Sequence, residues 1–100
     1  TDVLGADLAG PKEVIQTKVD FGAGVASPRH SHPGDEIAYV LEGTLEYQVD
    51  GKPPVTLRVG QALFIPAGAN HVARNVGEGK ASELATYLVV KGRPLLVIAK

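Results

Sequence analysis

The sequence predicts an all-β domain, a small antiparallel sandwich or barrel. Apolar and polar residues alternate along short runs, the two-residue period of a strand with one buried face. Twelve glycines and seven prolines in 100 residues cut those runs apart, as many short strands joined by turns require. No segment carries the wider 3.6-residue spacing of a helix with a buried stripe.

Taken in order, Glu13 to Phe21 alternates and places Ile15, Thr17, Val19 and Phe21 on one face. Gly22 to Gly24 turns the chain, and a strand through Arg29 to Ser31 follows. Pro33-Gly34 bends the backbone before a strand over Asp35 to Glu42, which Gly43 ends. Thr44 to Val49 is expected to pair back to Lys52 onward through Asp50-Gly51, a two-residue hairpin signal of the type I′ kind. Pro53-Pro54 interrupts pairing, and Val55, Leu57 and Val59 resume it. Gly60-Gln61 turns, Ala62 to Ile65 extends and Pro66 to Asn70 loops. Strands are expected again at His71 to Val76, Leu84 to Val90 and Leu95 to Ala99. Residues 1–12, which include Ala9-Gly10-Pro11, form an N-terminal arm, and 13–100 form one barrel domain.

Composition narrows the function classes. The net charge of −1, with both signs interspersed, gives no basic face for nucleic acid or an anionic membrane. No apolar run approaches the length of a membrane span. The absence of cysteine removes disulfides, thiolate ligands and a cysteine nucleophile together. The chain begins at Thr1 rather than methionine, so a cytoplasmic protein and an exported one that has lost a leader both remain open.

All three histidines fall inside two short motifs. The first is Gly24, His30, His32, Glu36 and Gly43, spaced G-x5-H-x-H-x3-E-x6-G. The second is Gly60, Pro66, Gly68, His71 and Asn75, spaced G-x5-P-x-G-x2-H-x3-N. Three imidazoles and a carboxylate form a donor set suited to a divalent transition metal. Side chains two apart share a strand face, so His30 and His32 both look inward. Glu36 re-enters from the next strand after the Pro33-Gly34 bend, with Ala38 and Val40 on its face. Ala73 and Asn75 share the face of His71. Asn75 can hydrogen-bond to a ligand from outside the coordination sphere, or anchor a strand end.

The two motifs, both complete, resemble those of the cupin superfamily. The resemblance implies a jelly-roll double-stranded β-helix, a small antiparallel β-barrel with one divalent metal inside. Carried over residue by residue, it implies His30, His32, Glu36 and His71 as the ligands. The short connector from Thr44 to Val59 resembles that of compact, microbial, single-domain members. The metal itself is open among iron, manganese, nickel, copper, cobalt and zinc. Four protein ligands on an octahedral ion leave two positions for water, oxygen or substrate.

The superfamily's functions are diverse, so the reaction is narrowed less than the site. A metal-dependent enzyme acting on a small organic molecule is expected, by oxygen-dependent, isomerase or lyase chemistry, with a dioxygenase-like oxidoreductase favoured. Glu36 is the one group in the motifs that can serve as both ligand and proton acceptor. The alternative is a non-catalytic protein that stores or senses a metal or small ligand. Tyr39, Tyr47 and Tyr87 are read as packing residues, Asp35 and Glu42 as solvated, and Arg29 and Arg74 as pointing outward. A homodimer is expected. Glu36 faces inward, so Ile37, Tyr39 and Leu41 must form an outer apolar face, and Leu95 to Ile98 adds a second apolar surface.

Overall fold

Nine strands make up the computed structural model, which describes residues 12–90 and 95–99. They are β1 (Lys12–Phe21), β2 (His30–Ser31), β3 (Asp35–Glu42), β4 (Thr44–Val49), β5 (Val55–Arg58), β6 (Ala62–Ile65), β7 (His71–Asn75), β8 (Ala81–Val90) and β9 (Val97–Ile98). The expected arm lies outside the described residues except for Lys12, which opens β1. No helix in the described residues is long and apolar enough to cross a membrane.

The strands form two antiparallel sheets, ordered β1-β8-β3-β6 and β5-β4-β7-β2-β9. The main core draws on both, with Phe21, Val40 and Ile65 from the first sheet meeting Leu45, Tyr47 and Val49 from the second. The architecture is thus a jelly-roll sandwich, with two separately hydrogen-bonded sheets among the described residues. Beside β2, the segment Val25–Ser27 also runs against β7, through Asn75 N to Val25 O and Ser27 N to Ala73 O.

Alternation explains most of the burial. On β3, Glu36, Ala38 and Val40 are buried while Ile37 and Tyr39 are exposed. Leu41 is exposed like Ile37 and Tyr39, and the alternation breaks only at Glu42, where the register against β8 slips between Val40 and Glu42, a β-bulge. On β8, Ala81, Glu83, Ala85, Tyr87 and Val89 share the inward face. Pairing across the first sheet sets Glu36 opposite Tyr87, Ala38 opposite Ala85 and Val40 opposite Glu83.

Two local expectations are corrected. The β4–β5 connection is not a type I′ hairpin. Lys52 N donates to Val49 O, closing a turn in which Gly51 has φ 82° but Asp50 keeps a negative φ, and type I′ needs both positive. Pairing with β5 resumes only at Val55, opposite Tyr47, after Pro53-Pro54, which have no N–H to give the ladder, while on its other edge Val49 pairs with His71 on β7 and Asp50 N donates to Asn70 O. Along β5, only Leu57 is buried. Val55 is exposed, as is Val59 beyond the strand's end, because β5 is an edge strand. Several of the expected boundaries shift as well, and the fifth strand ends at Arg58 rather than Val59. The second strand spans only His30–Ser31, the seventh ends at Asn75, the eighth begins at Ala81 and the last spans only Val97–Ile98.

Candidate metal centre

The first three ligating candidates come together where β2 crosses β7. His30 is in register with His71, and His32 follows β2 directly. Gly34 carries the chain from His32 to Glu36 so close to β8 that a Cβ there would lie 1.7 Å from Leu88 O. No other residue fits that approach, so the bend depends on glycine. All four side chains are buried, at 7% exposure for His30 and 3% or less for His32, Glu36 and His71.

The rings of His30 and His71 are 4.3 Å apart between centroids, and that of His32 lies 4.8 Å and 5.2 Å from them. One ring nitrogen from each of the three histidines lies within 4.8 Å of the others. Glu36 Oε1 sits 3.2 Å from His32 Nε2 and 3.3 Å from His71 Nε2. The structure therefore brings together all four residues singled out in the sequence.

Backbone carbonyls orient every imidazole. The Nδ1 of His30 meets Pro28 O at 2.7 Å, that of His32 meets Leu95 O at 2.7 Å, and that of His71 meets Ala69 O at 3.0 Å. A carbonyl oxygen can only accept, so each Nδ1 carries the proton and donates it. In the neutral ring the proton-free Nε2 is then left as a lone pair. Among the described residues, His32 Nε2 and Glu36 Oε1 have no hydrogen-bond partner although both are fully enclosed. Two buried acceptors facing each other are costly unless a cation lies between them. A proton on the imidazole or a metal ion would meet that need, and the donor set fits a divalent ion.

The charges follow from the same geometry. Burial works against the charge of Glu36, but the contacts with His32 and His71 outweigh it and hold its pKa down to about 2. Burial likewise opposes a charged His71, and Glu36 outweighs it, raising the imidazole above its ordinary value. His30 is pushed below its ordinary value, chiefly by burial.

A cavity of about 290 Å³ adjoins the cluster and reaches His30, Glu36 and His71. Two residues read as packing groups, Tyr47 and Tyr87, also line it, and the Tyr87 ring lies 4.5 Å from that of His32. Glu83 was missed. It is buried, receives a hydrogen bond from Tyr47 Oη and lines the same cavity. The eighth strand expected from the sequence begins at Leu84, which leaves Glu83 outside it. Its shared parity with Ala81, Ala85, Tyr87 and Val89 was the available signal.

Asn75 does not touch the cluster. Its Nδ2 donates to the carbonyls of Phe21, Gly22 and Gly79, and its Oδ1 accepts from Gly77 N, so it fastens the end of β1 with the loop after it, and the β7–β8 loop, to the end of β7. Arg29 points outward to an exposed ion pair with Asp50, and Arg74 is exposed. Asp35 and Glu42 are exposed too, although Asp35 Oδ1 accepts from Ala67 N at 2.9 Å.

Known proteins share this arrangement of strands. Polyketide synthase CurC from Streptomyces cyaneus is 45% identical over 80 residues, covering 74% of this chain and 51% of that protein. Dimethylsulfoniopropionate lyase DddQ from Ruegeria pomeroyi is 40% identical over 52 residues, 52% of this chain and 26% of its own length. The crystal structure of DddQ superimposes with a TM-score of 0.77 at 28% identity, over 86% of this chain and 43% of that one. A structure of oxalate oxidase in complex with the substrate analogue glycolate gives 0.76 at 29% identity, over 86% and 46%. The chain spans about half or less of the length of these relatives. The cupin domain family matches residues 17–91, three quarters of the sequence, and the chain belongs to that family.

Proposed function

We propose that His30, His32, Glu36 and His71 hold one divalent transition metal per chain, and that the protein is a metal-dependent enzyme acting on a small organic molecule in the adjoining cavity. The observation that carries this reading is the buried pair of acceptors, His32 Nε2 and Glu36 Oε1, 3.2 Å apart with no proton donor between them. Such an ion supplies Lewis acidity and, if redox-active, electrons. Each imidazole is kept in its ligating tautomer by a backbone carbonyl. The apolar walls, among them Phe21, Val25 and Leu96, limit water around the reacting molecule. Glu36 is the proton acceptor of the cluster, being its one carboxylate.

The relatives support an enzyme of lyase or oxidase type, since two of them are named as a lyase and an oxidase of small molecules. Elemental analysis of protein purified from its native host tests the first half of the reading, with about one metal ion per chain expected. An oxygen-electrode screen with small enols, diketones and phenols, paired with product analysis for lyase activity, tests the second. Metal-dependent turnover supports the enzyme. Tight ligand binding with no turnover of any probe would replace it with the storage or sensing role.

A further inference from the structure

The cavity has a second polar pole, far from the histidines along the strands. Glu36, Ala38 and Val40 on β3 pair in turn with Tyr87, Ala85 and Glu83 on β8. Glu83 is therefore four residues along its strand from the level of Glu36, about 13 Å of backbone. Between those levels the inward positions are small: Ala38 and Ala85 in the first sheet, and Ala73 opposite Tyr47 in the second. Of these alanines Ala73 lies on the cavity wall, and Glu36, Ala73, Tyr47 and Glu83 all border one cavity, which joins the two poles.

Glu83 is 6% exposed, and Tyr47, on the opposite sheet, is 1% exposed. The Tyr47 hydroxyl donates across the interior to Glu83 Oε1. No described residue hydrogen-bonds to the other carboxyl oxygen, Oε2. A carboxyl this buried, held by one oxygen and open at the other, has a binding site's form rather than a packing residue's. The charge around it is one-sided. Glu36 and Glu83 are the buried carboxylates on its wall, the exposed Asp20 that also borders it is paired with Lys18, and no described Lys or Arg lines the cavity itself.

We propose that Glu83 is a ligand-binding residue whose Oε2 receives a hydroxyl or ammonium group at the far end of the substrate, with Tyr47 positioning the carboxyl. This rests on the metal-centre reading for the near end of the substrate. The class of molecule is a small metal-binding compound with a neutral or cationic hydrogen-bond donor at its other end. A second free carboxylate is disfavoured, because it would meet acidic side chains in a mostly apolar enclosure with no cation to pair with.

The test is a matched series of unbranched carboxylates of about three to five carbons, whose ω-substituent is hydrogen, hydroxyl, ammonium or a second carboxylate. Their affinities are measured by calorimetry on the metal-loaded protein. The ω-amino and ω-hydroxy acids should bind about tenfold more tightly than the unsubstituted acid, the worth of one charge-assisted hydrogen bond. The dicarboxylate should bind most weakly. Glu83→Gln, which keeps the shape, should erase the preference for the ω-amino acid and leave metal affinity unchanged. Tyr47→Phe is the second variant, and it should weaken the preference without reversing it. A dicarboxylate that binds best, or an order of affinities that Glu83→Gln and Tyr47→Phe both leave intact, would overturn the assignment. Metal titration is read separately. Failure to bind metal would defeat the metal-centre reading and the Glu83 assignment with it, whereas metal binding with an order of affinities that Glu83→Gln leaves intact would overturn the Glu83 assignment alone.

Discussion

His32 Nε2 and Glu36 Oε1 lie 3.2 Å apart inside the protein, and neither has a hydrogen-bond partner. The Nδ1 of His32 already donates to Leu95 O, so a neutral ring has no proton left for the carboxylate. The pair therefore needs a cation, and the first four predictions turn on which cation it takes or on what stands apart from it.

Replacing any one of His30, His32, Glu36 or His71 by Ala should weaken metal binding by more than about 100-fold, beyond the cost of losing a supporting group outside the coordination sphere. Metal titration with elemental analysis measures this. A fully loaded His71→Ala protein of wild-type affinity would remove His71 from the ligand set.

Chelation should lower the melting temperature without unfolding the sandwich. Metal at a hundred times its dissociation constant stabilises the fold by about 2.7 kcal/mol. For a domain of this size that is roughly 10 to 20 °C. A buried apolar cluster that contains none of the ligands and draws on both sheets keeps them together in its absence. A random-coil apo protein, or a melting point indifferent to metal, would contradict the expectation.

In the metal-free protein, the ion pair of Glu36 with His71 should stabilise most in mild acid. His71 is raised above 6.5 in the folded state, so its contribution is complete below 6.5 and is lost as pH rises through the folded value. Glu36 is lowered from 4.5 to about 2, so its contribution is complete above 4.5 and is lost as pH falls towards 2. Glu36→Gln should then cost the apo protein more at about pH 6 than at about pH 8 or pH 3. Metal-loaded protein should show the reverse trend between pH 8 and pH 6, because protons compete for the imidazoles. Melting curves of both variants across pH, with and without chelator, decide it.

Asn75→Ala should destabilise the fold by about 1–3 kcal/mol, the cost of leaving enclosed carbonyls without a donor. Those carbonyls belong to Phe21, Gly22 and Gly79. Metal affinity should be unchanged in the folded protein, since Asn75 makes no contact with the cluster. A loss of metal affinity larger than the loss of stability explains would restore a role for Asn75 at the site.

The outer face of the first sheet should pack on a second copy of the chain. Val14, Ile37, Tyr39, Leu41 and Phe64 are all exposed there, and Ile37 is in register with Phe64. A face of this kind is rarely left in water by a monomer. Tyr39→Glu with Leu41→Lys should give monomers that still bind metal. Light scattering that reports a monomer for the unmodified protein at micromolar concentration would end the idea.

The sequence by itself determined the strand content, the inward parity of His30, His32, Glu36 and His71, and the outward parity of Ile37 and Tyr39. Each depends on a two-residue period or a Gly/Pro interruption, both of which act over a few neighbouring residues. Only the tertiary structure decided the partners across the sandwich. Asn75 sits in a motif with His71, yet its hydrogen bonds go to loops more than fifty residues earlier and to Gly79. Asp50-Gly51 is a hairpin signal locally, but Asp50 keeps a negative φ and gives its N–H to Asn70 O in the loop before β7, so the turn is of another type. Glu83 reads as one more charged residue until Tyr47 meets it from the other sheet, 36 positions away in the chain. Pairing between sheets depends on which faces are buried together, and that is settled by the packing of the whole domain rather than by any local run of residues.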